Sequence, residues 1–102
     1  MSGATGDLIL GWDVGGAHLK RAVLAPDGTL LSVEMAACPL WQGLDKLDAA
    51  MAALSPATGR SVVTMTGELT DLWPDRAAGV AGLSQALAER LGADTLIYAG
   101  RA

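Results

Sequence analysis

Leu8-Ile9-Leu10-Gly11-Trp12-Asp13-Val14-Gly15-Gly16-Ala17-His18-Leu19-Lys20 is the stretch on which the fold of this chain turns. Its short, continuous apolar run over 8–14 reads as a β-strand buried on both faces. A carboxylate stands at Asp13, two glycines reverse the chain, and alternation resumes towards Lys20. A strand, a Gly-Gly turn and a second strand set Asp13 and the turn amides at one end of a sheet. Backbone N–H groups uncovered by side chains can wrap a phosphate, and an acid beside them can hold a metal ion or orient water.

Working outward, residues 17–25 alternate, which puts Gly16, His18 and Lys20 on one face and Leu19, Arg21 and Val23 on the other. A Pro26-Asp27-Gly28 turn leads into a third strand over Thr29 to Met35. The period then changes. Leu40, Leu44, Leu47, Met51 and Leu54 recur at fours and threes, one apolar stripe of a helix that Ser55-Pro56 and Gly59 end. Ser61 to Thr66, rich in β-branched residues, reads as a fourth strand that Gly67 ends. Pro74 and Asp75 suit the first turn of a second helix, whose stripe is Val80, Leu83, Leu87 and Leu91 and whose cap is Gly92. Gly79 and Gly82 weaken its first half, and Thr95 to Ala99 reads as a fifth strand.

The order βββαβαβ predicts an α/β domain with a mixed five-stranded sheet. A three-strand meander is followed by two parallel strands joined through right-handed helical crossovers. All 102 residues fit one domain, and a chain that is 51% hydrophobic and 18% charged is a packed globule, not a disordered tail. The net charge of −4 and the absence of any Lys/Arg run argue against nucleic acid as a partner. Cys38 is the single cysteine, so no internal disulfide forms and a reducing, cytoplasmic location is the simplest expectation. Cys38 before Pro39 reads as a small hydrophobe, and Trp12, Trp41 and Trp73 as core or rim packing. The opening residues lack a basic leader, and the apolar run after them is too short to span a membrane.

Two constellations carry chemistry. In the first, the backbone of Gly15, Gly16 and Ala17 receives a phosphate, Lys20 adds positive charge, His18 lies close by, and Asp13 serves a metal or water. The plain alternative is a Gly-Gly hairpin with a solvated lysine and a capping acid. A carboxylate ending an apolar strand favours function, because burying one without purpose is costly. The second is Thr66-Gly67-Glu68-Leu69-Thr70-Asp71 after the fourth strand. If that strand lies parallel beside the first, Glu68 shares a crevice with Asp13 as base, acid or Mg²⁺ ligand, Gly67 admits a substrate closely, and Asp71 lines it. The plain alternative makes Glu68 and Asp71 charges that complement a helix N-terminus. No zinc site, Ser-His-Asp set or GxGxxG is present.

The Asp13-Val14-Gly15-Gly16 turn with Lys20 on the next strand resembles the first phosphate motif of the actin-like ATPase superfamily. The βββαβαβ order matches the ribonuclease-H-like amino-terminal half of that fold. Gly11 to Lys20 together with Met65 to Arg76 is similar to the hydantoinase/oxoprolinase-like proteins of tetrahydromethanopterin-linked one-carbon transfer. Their relatives join an aminomethylfuran diphosphate to a glutamyl-tyramine phenol in methanofuran biosynthesis. The resemblance implies a small-molecule phosphate or diphosphate substrate, Mg²⁺ held by Asp13, and Glu68 as base for the phenol. It also implies a second domain or partner subunit beyond these residues, with self-association where that partner is lacking. Two other readings stand beside this transferase: an ATP-dependent kinase or hydrolase of the same superfamily, and a non-catalytic assembly subunit. Sugar kinases place a Thr after the glycines, where Ala17-His18 stands here.

Overall fold

A computed structural model describes residues 7–66 and 72–98. Its elements follow the expected order: β1 (Ile9–Val14), β2 (His18–Leu24), β3 (Leu30–Ala37), a 3₁₀ turn (Leu40–Gln42), α1 (Asp45–Ala53), β4 (Arg60–Met65), α2 (Arg76–Leu91) and β5 (Leu96–Tyr98). The sheet runs β3-β2-β1-β4-β5, with β1–β2 and β2–β3 antiparallel and β1–β4 and β4–β5 parallel. This is the mixed five-stranded sheet that the order of elements predicts.

The strand reading needs one correction. β1 is buried on one face only: Leu10, Trp12 and Val14 are inside, whereas Asp13 is exposed and Ile9 and Gly11 are half-covered. The cause is topological. Both crossovers, β3 to β4 and β4 to β5, progress in the same direction along the sheet. Right-handed connections therefore lay α1 and α2 on one face. Leu47 and Ala50 of α1 and Leu83 and Leu87 of α2 join Leu10, Val14, Leu19 and Val63 in a single core. The opposite face carries Val33, Met35, Val62, Leu96 and Tyr98 exposed to solvent.

The first helical stripe is also divided. All of its positions reach the core, but Gly43 at φ 141 breaks the helix between the 3₁₀ turn and α1. That backbone conformation is open to glycine and strained for other residues. α2 starts two residues after Pro74, because Asp75 is its N-cap rather than part of its first turn. The Asp75 carboxylate accepts the Ala78 N–H at 2.8 Å. Gly82, poor for helix propensity, has a packing role. A Cβ there would run into the indole of Trp73, so the glycine lets that ring seat against α2. Among the other tryptophans, Trp12 is buried and donates its indole N–H to Ser61 Oγ at 3.0 Å, whereas Trp41 is 58% exposed. Cys38 is fully buried, and burial pushes its thiol pKa up, which suits packing and not reactivity. Across the helical face, Arg90 of α2 grips Asp48 of α1 through Nε at 2.6 Å and Nη2 at 3.0 Å. Among the described residues no helix is long and apolar enough to cross a membrane.

Candidate phosphate site at the β1–β2 hairpin

The antiparallel register places Asp13 opposite Lys20, and the parallel register places it beside Thr64. Directly opposed residues share a face of the sheet. Lys20, Asp13 and Thr64 therefore form one row on the open face. His18 and Lys20 are exposed while Leu19 and Arg21 are buried, as alternation predicts. Asp13 has no hydrogen bond or ion pair within the described residues, not even to Lys20 across the strand pair. An exposed acid and an exposed base left uncoupled on adjacent strands are free to engage a ligand.

The hairpin itself is drawn tightly onto its neighbours. The Gly15 N–H donates to His18 O at 3.0 Å, so this amide closes the turn and does not face outward. Cys38 N–H donates to Ala17 O at 2.8 Å and Leu40 N–H to Gly16 O at 3.1 Å. The loop is thus pinned through its carbonyls to the segment after β3. The N–H groups of Gly16 and Ala17 have no partner within the described residues. Of the three amides expected to face a phosphate, only those of Gly16 and Ala17 are left open among the described residues. Neither Gly15 nor Gly16 uses a positive φ. Space does not demand glycine at position 15 either: a Cβ there would sit in ordinary contact, 3.4 Å from His18 O and 3.8 Å from Thr66 Oγ1.

That last distance gives a position to Thr66, which the sequence reading named only as the first residue of the second constellation, with no role of its own. Thr66 Oγ1, at the carboxyl end of β4, lies against the hairpin, and Thr66 N–H extends the parallel ladder to Val14 O at 2.9 Å. A hydroxyl thus borders the loop from another strand, although no threonine follows the glycines. The parallel ladder was the available signal, since it aligns the ends of β1 and β4. Gly67, Glu68 and Asp71 lie outside the described residues.

No family model matches this sequence, and no curated protein matches it. Solved structures do. A Ppx/GppA family member from Aquifex aeolicus matches at 10% identity and a TM-score of 0.50, over 90% of this chain and 35% of that one. A protein described as a 2-dehydro-3-deoxygalactonokinase from Sinorhizobium meliloti matches at 18% identity and a TM-score of 0.43, over 60% of this chain and 22% of that one. The chain spans about a third or less of the length of these structures. What the Aquifex match shares with it is architecture: the chain has the fold of the ribonuclease-H-like half of an actin-like ATPase.

Proposed function

We propose that this chain is the phosphate-gripping half of a phosphotransferase or phosphohydrolase of the actin-like ATPase type, acting on the terminal phosphates of a nucleotide such as ATP. One observation carries the reading: two amides, an acid and a lysine, none with a partner among the described residues, converge at the carboxyl ends of β1 and β4, where open α/β sheets bind ligands. The Gly16 and Ala17 N–H groups and the Lys20 ammonium would face the phosphate oxygens and stabilise the charge that spreads over them during transfer. Thr66 Oγ1 can add a hydrogen bond from the other side of the hairpin.

The donor set fits Mg²⁺. This ion is commonly held by one or two carboxylates, with water and substrate phosphates completing its shell, and Asp13 is a single exposed carboxylate beside the cradle. When bound, Mg²⁺ neutralises phosphate charge. Asp13 would hold it, and Glu68, three residues after the end of β4 in the sequence, would be the base that orients the acceptor or water.

A second reading keeps the same machinery but makes diphosphate the leaving group. The carbon–oxygen bond of an aminomethylfuran diphosphate breaks, the diphosphate departs with the electron pair, and a phenol oxygen attacks the resulting cation-like carbon. Ala17-His18, standing where sugar kinases carry a threonine, favours this variant. Offering the complete gene product ATP and an aminomethylfuran diphosphate in parallel separates the two. ATP turnover supports the first reading, and furan diphosphate turnover without ATP turnover supports the second. If neither is bound or turned over, the chain is an assembly subunit and both fail.

A further inference from the structure

On the helical face, away from the hairpin, the loop between α1 and β4 leaves a cleft of about 480 Å³. Its walls include Leu10, Trp12, Met51, Leu54 and Leu91, and Arg21 forms part of its lining. Arg21 is 95% buried by its 5% exposure, an unusual situation for a permanent cation. Its charge is paired, but its donors are not all met. Nη2 donates to Ser55 O at 2.7 Å and stands 3.7 Å from Glu34 Oε1, and the Glu34 carboxylate also accepts the Ser55 N–H at 2.7 Å. The guanidinium carbon lies 5.6 Å from the centre of the Trp12 ring. Nε is buried and has no partner among the described residues.

A purely structural clamp accounts for one edge of this group. Nη2, Ser55 and Glu34 tie β2, β3 and the end of α1 together through three contacts. It does not account for the Nε edge, because a buried donor left unpaired costs free energy that evolution readily removes by substituting lysine or an apolar residue. The guanidinium fork matches planar oxyanions bidentately, and aliphatic side chains surround it here. The second arginine on the wall, Arg90, is already satisfied by Asp48, which leaves the Nε edge of Arg21 as the donor to be met.

We propose that this cleft binds a small organic carboxylate, its carboxyl group meeting Arg21 and its aliphatic part resting on Met51, Leu54 and Leu91. The cleft is separate from the phosphate loop, because Arg21 and Lys20 are successive residues of β2 and point to opposite faces of the sheet. The proposal therefore stands whether or not the hairpin binds nucleotide.

Titration of the full-chain protein with hexanoate, followed through the Trp12 indole N–H resonance in ¹H–¹⁵N spectra, tests it. A saturable shift of that resonance is expected, with hexanol and inorganic phosphate each binding at least tenfold more weakly. Arg21→Lys keeps the charge but removes the fork, and should weaken hexanoate binding tenfold or more. Ala57→Trp crowds the cleft from its loop without touching Arg21 and should abolish binding in a folded protein. This second variant decides the matter if Arg21→Lys fails to fold. Absence of a saturable shift, hexanol or phosphate matching hexanoate, or unchanged binding in Ala57→Trp would overturn the proposal.

Discussion

Replacing Asp13 with Asn separates ligand chemistry from folding, because the structure assigns this carboxylate no role in the core. It is exposed at the end of β1 and has no hydrogen bond or ion pair within the described residues. Asn preserves the shape, opens no cavity and breaks no contact, so unfolding free energy should change by no more than about 0.5 kcal/mol. The functional cost should be larger: losing one charged contact to a metal–phosphate unit removes about 3 kcal/mol, roughly a hundredfold in rate or affinity. A sign difference sharpens the test. Without a metal, the Asp13 carboxylate repels a phosphate held by Lys20; at about 5 Å, the cross-strand spacing, that repulsion is about 1 kcal/mol near the dielectric of water. Asp13→Asn should therefore weaken nucleotide binding strongly with Mg²⁺ and strengthen it by up to about fivefold without Mg²⁺. Isothermal titration with and without Mg²⁺, beside a urea melt, reads all three quantities. A urea midpoint that falls as far as for a core truncation, or equal losses with and without Mg²⁺, would refute the reasoning.

Three further outcomes follow from the fold. The open face, with Val33, Met35, Val62, Leu96 and Tyr98 exposed, should make the 102-residue chain self-associate in light scattering, and Val33→Lys on edge strand β3 should reduce it. A clean monomer of the unaltered chain at high concentration would contradict this. Gly82→Ala should destabilise by about 1 kcal/mol in thermal melts despite better helix propensity, because displacing the Trp73 ring outweighs the propensity gain; a stabilised variant would show that the ring moves aside freely. Arg90 holds the Asp48 carboxyl below its usual range by hydrogen bonding and charge. An acid with a depressed folded pKa contributes stability above its unfolded value and loses it as pH falls through the folded one. The stability gap between the unaltered protein and Asp48→Asn should thus be widest near neutrality and close on acidification, and a gap unchanged at pH 2 would sink the assignment.

Much of the sheet was legible because its signals are local. Alternation over His18 to Leu24, the Pro26-Asp27-Gly28 turn and the β-branched run before Thr66 each act through nearest neighbours along the chain. That the ends of β1 and β4 lie side by side followed once the two strands were taken as parallel neighbours, but the row of Lys20, Asp13 and Thr64 came only from the observed register. Less was legible at the hairpin. Nothing in Val14-Gly15-Gly16-Ala17 reveals that the first amide is taken up by His18 O, because that depends on how the two strands pair. Nor does the leucine stripe reveal the break at Gly43. Period alone reports which residues face inward, and both arrangements face the same leucines inward.

The amino-acid sequence by itself determined the kinds of element, their order and the acid-glycine-lysine constellation on one hairpin. These depend on periodicity, turn chemistry and residue inventory, all short-range properties. The tertiary structure alone decided that one face of β1 stays open, that Thr66 borders the β1–β2 hairpin and that Arg21 is enclosed beneath the segment after α1. Each of those depends on the path and handedness of connections between strands distant along the chain. A strand's alternation defines two faces, but where the crossovers run decides which of them is covered.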